Sequence, residues 1–384
     1  MNRLMRMPTR RVPPRPGDTT VAAAPPPTAA PPFALRPPPA GCATITCDQA
    51  VFTSQRSALG EGYRIIAHGG GLTHRKKAEL TRRSPSHGSL ARDDADAFGL
   101  LAMPLAGGRV AVAHCVYAGA EHTGRGGQRV WSHYAVLDEA AFDAFGKNPM
   151  RVQRAMAIQT APQPSLAQSL PRLELPAWRG ADADDPPPAG AMLEVQLRLI
   201  DLCLMRGRWA VAGLACPTEA LEWAWDLVPP CVRGRLSLSC GLGFCLGREV
   251  HITVVDSVRS GVERMIRGHD VHLRDLTQPD APLGSPHVGW IDLIRAWAPR
   301  RRWSRVAALA GRIEGEGETL NRIARLCLDL DRAELADDEA KADLHERYLD
   351  FTPECAVEQE LLAQLLAATE PPPEPDEESE DVAS

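Results

Sequence analysis

Two groups of residues in this chain carry side chains or backbone able to do chemistry. The first is His68-Gly69-Gly70-Gly71, lying between a strand-like apolar run and a polar, helix-like stretch. Backbone N–H groups at such a junction can cradle an anion, and esterases place an oxyanion loop there. The same three glycines also allow a sharp reversal through positive φ, which needs no ligand. The second group is His114, His122, Arg125 and His133, in which His122 and Arg125 share a glycine-rich turn with Gly124, Gly126 and Gly127. Three imidazoles could hold zinc if that turn folded back. His114, however, alternates with Val110, Val112 and Val116 on one strand face, the setting of a core histidine, so no metal is expected. The basic runs Arg75, Lys76, Lys77, Arg82, Arg83 and Arg300, Arg301, Arg302 read as solvated faces.

The motifs of the common enzyme classes are missing. There is no Gly-x-x-x-x-Gly-Lys-Ser/Thr, no Gly-x-Ser-x-Gly, no His-Glu-x-x-His and no paired Cys-x-x-Cys. The chain is therefore expected to have no nucleotide site of its own, no cofactor and no catalytic residue. Lys and Arg number 43 against 49 Asp and Glu, a net charge of −6, so no basic excess draws nucleic acid. The eleven Tyr and Phe do not interleave the basic runs as a base-stacking platform requires, and nucleic-acid binding is not expected. Most of the ten cysteines sit in apolar runs such as Leu202-Cys203-Leu204, which predicts buried thiols in a reducing cytoplasm. No run of 18 apolar residues exists, so neither membrane spanning nor secretion is expected.

The elements that would position these residues read as α+β. Residues 1–43 hold twelve of the 34 prolines counted up to position 40, six Arg and almost no large apolar side chains, which predicts a disordered arm. Residues 44–148 form an antiparallel-rich α+β domain. Its strands are expected at 44–53, 63–68, 98–105, 109–117 and 129–137, with a polar helix over 72–83. Gly107-Gly108 should turn a hairpin, and Asp138 should cap a short helix ended by Gly146 and Pro149. A linker over 149–190 precedes a second, small α/β domain at 191–287, whose helices begin at Ala191 and Pro217. Helical periodicity alone fills 288–369, and the tail 370–384, with seven acids and no base, is expected to be disordered.

Several short segments, taken in order, resemble one known family. Gln49-Ala50-Val51-Phe52, Gly62-Tyr63-Arg64-Ile65-Ile66-Ala67, Met103-Pro104-Leu105, Gly108-Arg109-Val110, Gly124-Arg125 and Trp131-Ser132-His133-Tyr134 are similar to the N-terminal domain of the bacterial GTPase-associated protein 1 family. Leu227-Val228-Pro229-Pro230 and Leu236-Ser237-Leu238-Ser239 resemble its middle domain. Gly69-Gly70-Gly71 departs from the family pattern. The resemblance implies an adaptor encoded with a separate GTPase in a bacterial stress or biological-conflict system, with no established catalytic residue. Partner or ligand contacts are expected at Tyr63, His68, Gly69, Gly70, Gly71, Arg109, His122, Arg125 and His133. The alternative is a ligand-binding or hydrolytic enzyme in which the His68 turn converges with His122, Arg125 and His133 on one pocket.

Overall fold

The computed structural model describes residues 41–57, 60–92, 97–121, 127–158, 169–178, 191–256, 261–278, 286–300, 302–314 and 318–370. The proline-rich arm, the acidic tail from 371, His122 and Arg125 lie outside them.

Ten strands form one sheet: β1 (Thr44–Ser57), β2 (Gly60–His68), β3 (Phe98–Leu105), β4 (Arg109–Ala120), β5 (Gln128–Leu137), β6 (Leu173–Pro176), β7 (Trp209–Ala212), β8 (Leu238–Cys240), β9 (Ile252–Val254) and β10 (His272–Asp275). Their spatial order is β10-β7-β9-β8-β3-β4-β5-β1-β2, with β6 on the first residues of β1. From β2 to β8 neighbours run antiparallel, and β8, β9, β7 and β10 run parallel. The change of pattern is visible in the residues. Trp209-Ala210-Val211-Ala212 of parallel β7 is buried throughout, whereas antiparallel β4 divides its side chains between two cores.

Val110 and Val112 join Leu100, Ala102, Ala135 and Leu137 on one face of the sheet. Ala111, Ala113 and Cys115 join Leu101, Met103, Tyr134 and Val136 on the other. The β3–β4 hairpin turns at Gly107 and Gly108, with φ of 80° and 70°, values that an L side chain adopts only under strain. Asp138 caps α2 (Glu139–Asp143), its Oδ1 accepting from the Ala141 N–H at 2.9 Å.

The first face carries most of the helices. Against it pack α3 (Pro149–Ile158), α4 (Ala191–Leu204) and α5 (Pro217–Asp226), with the short α6 (Pro230–Arg233) following. Beyond them α8 (Val288–Trp297), α9 (Trp303–Arg312), α10 (Glu318–Ala333), α11 (Asp338–Leu349) and α12 (Ala356–Thr369) continue the same core through Trp290, Leu320 and Leu365. The second face is covered by α1 (His74–Arg83) through Leu80 and by Leu90, Leu242 and Val250. The short α7 (Val262–Ile266) places Val262 in a small third cluster with Ala210 and Ala212.

Two features depart from the sequence reading. The segment 149–190, expected as a linker, contains α3 and β6. Val152 and Met156 of α3 are buried under the sheet, and Leu175 of β6 is buried beside β1. The second α/β region does not build a sheet of its own, because Leu100, Leu101 and Ala102 of β3 pair with Cys240, Ser239 and Leu238 of β8. A buried ionic network fastens the same junction. Arg151 of α3, its side chain 2% exposed, donates from Nη2 to Asp226 Oδ2 at 2.5 Å and lies 3.5 Å from Glu222. Arg154 pairs with Glu222, Asn148 donates to Asp226 at 3.1 Å, and Arg233 donates to the Asp226 carbonyl at 2.8 Å. Burial raises the Glu222 carboxyl pKa against the pull of Arg154 and Arg151.

Candidate functional site

The structure puts the sequence-selected residues in separate places. The first is the glycine turn, where β2 ends at His68 and the Gly69 N–H donates to the Gln49 carbonyl at 2.7 Å. None of Gly69, Gly70 and Gly71 has a positive φ, so the expected reversal through left-handed backbone does not occur. The requirement is steric and falls on one position. A Cβ on Gly71 would lie 2.1 Å from Asp48 Oδ2, whereas one on Gly70 would meet nothing within 4 Å. Asp48 is held there by Arg109, whose Nη1 donates to Oδ2 at 2.5 Å; their side chains are 9% and 28% exposed. The anion at the turn is thus a carboxylate of the chain itself, and Arg109 is spent in holding it.

His68 is fixed from both ring nitrogens. Its Nδ1 lies 2.9 Å from the Gly69 carbonyl, which can only accept, so Nδ1 bears the proton. Nε2 then presents a lone pair to the Lys77 ammonium at 3.3 Å. Glu79 accepts from the Ala106 N–H at 3.1 Å and ties α1 to the β3–β4 turn beside Arg109.

Tyr63 lies at the other end of β2. Its hydroxyl donates to Glu121 Oε2 at 2.7 Å and accepts from the Val130 N–H at 3.1 Å. Ser54 donates to Glu121 Oε1 at 2.7 Å. Burial, with the Glu121 carboxylate nearby, raises the Tyr63 pKa and keeps the phenol protonated. This is a buried carboxylate satisfied by hydroxyl donors.

His133 is on the opposite face of the sheet from Tyr63 and His68. It stands directly across from His114 in the β4–β5 register, beneath α3. Its Nε2 is 2.9 Å from Gln49 Oε1, Gln49 Nε2 donates to the Pro171 carbonyl at 2.8 Å, and Gln153 Nε2 lies 3.3 Å from His114 Nδ1. Burial pushes both imidazoles down to about 4, with His114 adding to the shift at His133. Both are neutral at pH 7, and neutral rings packed with amide partners form a buried polar layer rather than an acid–base pair. Among the described residues, no group of three or more His, Cys, Asp and Glu is arranged to hold a metal ion.

Sequence reasoning overlooked Asp48 and Glu121. The available signal was a single acid next to a strongly apolar strand in each case, at Cys47-Asp48-Gln49 and at Gly119-Ala120-Glu121. Gln49, part of the family-like segment Gln49–Phe52, bridges His133 to the segment at Pro171.

Residues 46–176 match the family model described as GTPase-associated protein 1, N-terminal domain type 2. The resemblance to the GTPase-associated protein 1 family therefore holds for the segment from β1 to β6, which contains Asp48, Tyr63, His68, Arg109 and His133. The Leu227–Ser239 region lies beyond the match. No curated protein and no solved structure matches the chain.

Proposed function

We propose that this chain is a non-catalytic adaptor that associates with a separate GTPase, or a GTPase-linked protein, in a cytoplasmic bacterial stress or biological-conflict system. The match of residues 46–176 to a GTPase-associated domain carries the reading. The geometry adds weight. His68 and His133 face opposite sides of the sheet, Arg109 is engaged by Asp48, and His133 is neutral and buried, so these groups do not converge on one pocket. An enzyme built from the His68 turn and His133 would need them on the same side.

In this reading nucleotide switching belongs to the partner. Affinity capture of the full chain from its native host, with GTP-loaded and GDP-loaded lysates compared by mass spectrometry, should enrich a GTPase in one state. Isothermal titration of the isolated chain with GTP and magnesium should show no binding; micromolar binding would overturn the adaptor reading.

A further inference from the structure

An open groove of about 490 Å³ runs between α1 and β2 and is lined by Arg64, Ile65, His74, Lys77, Ala78, Thr81 and Arg82. The helix residues are spaced i, i+3, i+4, i+7 and i+8, one face of α1 over two turns, about 12 Å at 1.5 Å per residue. The opposite wall is β2, the strand at one end of the sheet.

The positive charge in this groove is poorly compensated. Lys77 donates to the His68 ring nitrogen at 3.3 Å; the Arg64 guanidinium lies on the other face of the sheet, where it donates to the Gln55 amide at 3.4 Å. Arg82 lies 3.3 Å from Glu249, but both side chains are half exposed, where water and salt screen the pair strongly. The first turn of α1 carries His74, Arg75 and Lys76 and no acid. That arrangement opposes the helix dipole, which favours negative charge at this end. Between the cations the wall is apolar, from Ile65, Ala78 and the Thr81 methyl.

We propose that the α1–β2 groove is a docking site for an extended acidic peptide segment of a protein partner. Four extended residues span about 13 Å, the length of the groove, at roughly 3.3 Å each. Two carboxylates at alternate positions would meet Lys77 and Arg82 while the backbone between them lies over Ile65 and Ala78. A single phosphate would engage one end and leave the apolar stretch bare. The inference rests on the adaptor reading and names the chemistry of the partner segment.

The test is fluorescence anisotropy of the full chain with a labelled peptide of alternating Glu and Val, about eight residues long. Binding should saturate at low salt and weaken as salt rises. Lys77→Glu with Arg82→Glu should weaken it at least tenfold, and a Lys/Val peptide should bind that variant instead. If the double reversal does not fold, as judged by its melting temperature, Lys77→Gln with Arg82→Gln replaces it, with the same tenfold criterion. Absence of saturable binding to wild type, an effect below threefold, or displacement by inorganic tripolyphosphate below the peptide's own Kd would overturn the proposal. The two readings fail separately. GTPase capture that the reversal leaves intact, with no peptide binding, removes the groove alone, and peptide binding with no GTPase captured removes the GTPase partner alone.

Discussion

Of the three consecutive glycines, only Gly71 should resist substitution. An alanine methyl there would sit 2.1 Å from Asp48 Oδ2 and 2.7 Å from its Cγ, inside any possible contact distance, so the carboxylate must move. Moving it breaks the 2.5 Å bond to Arg109, and charge-assisted hydrogen bonds contribute ~1.5–3 kcal/mol. Residual crowding adds on the order of 1 kcal/mol. Gly71→Ala should therefore cost about 2–4 kcal/mol. At Gly70 the methyl meets nothing within 4 Å, and φ is not in the left-handed region. Gly70→Ala should be neutral, or stabilising by a few tenths of ~1 kcal/mol through the lower entropy of the unfolded chain. Gly69→Ala, with its nearest atom at 3.4 Å, should fall between them. Urea unfolding of the three variants gives the ranking. Repeating Gly71→Ala in an Asp48→Ala background isolates the cause, because the methyl then has room and its cost should fall below about 1 kcal/mol. Equal costs at positions 70 and 71, or an undiminished cost without Asp48, would refute the argument.

The remaining expectations concern the buried polar groups. His114 and His133 have folded pKa values of about 4 against 6.5 when unfolded, so the unfolded chain binds more protons between those values. Their contribution is complete above pH 6.5 and is lost as pH falls toward 4, by at most roughly 3 kcal/mol per ring. Urea midpoints taken from pH 7.5 to 4.5 should fall steeply, and His114→Gln with His133→Gln should flatten that slope; an unchanged slope would exclude these rings as the cause. Arg151→Ala should destabilise by about 3–5 kcal/mol, because Asp226 and Glu222 lose a partner that is itself buried. A loss below 1 kcal/mol in denaturant unfolding would show that the network is dispensable.

What the sequence made legible was local, and the reason is physical. The alternation of Val110, Val112 and His114 with Ala111, Ala113 and Cys115 reports two packed faces within one strand. Gly107-Gly108 reports its own φ, and Asp138 reports its own cap. His114 was placed in the core by the same alternation, and extending it by one strand puts His133 beside it. Contacts between distant segments leave no comparable trace. Three-residue β8 is too short to announce that it pairs with β3, some 140 positions earlier, and that pairing makes one sheet of two regions that read as separate domains. Pro149 reads in the sequence as the end of α2, but the same fixed φ that stops one helix pre-organises the first residue of the next, here α3.

The glycine turn shows how the long-range term redirects a functional reading. From sequence alone, three glycines after a histidine allow an anion cradle as well as the more expected plain reversal, because both use backbone freed from Cβ. The choice depends on Asp48, more than twenty residues upstream, which brings an internal carboxylate to Gly71, and on Arg109, which holds it there. With that anion supplied from within, the cationic capacity left uncommitted in this part of the fold lies along α1. Lys77, at the rim of the α1–β2 groove, meets a ring nitrogen of His68 rather than a carboxylate. A docking segment bearing carboxylates is therefore favoured at the helix, beside the glycine turn rather than in it.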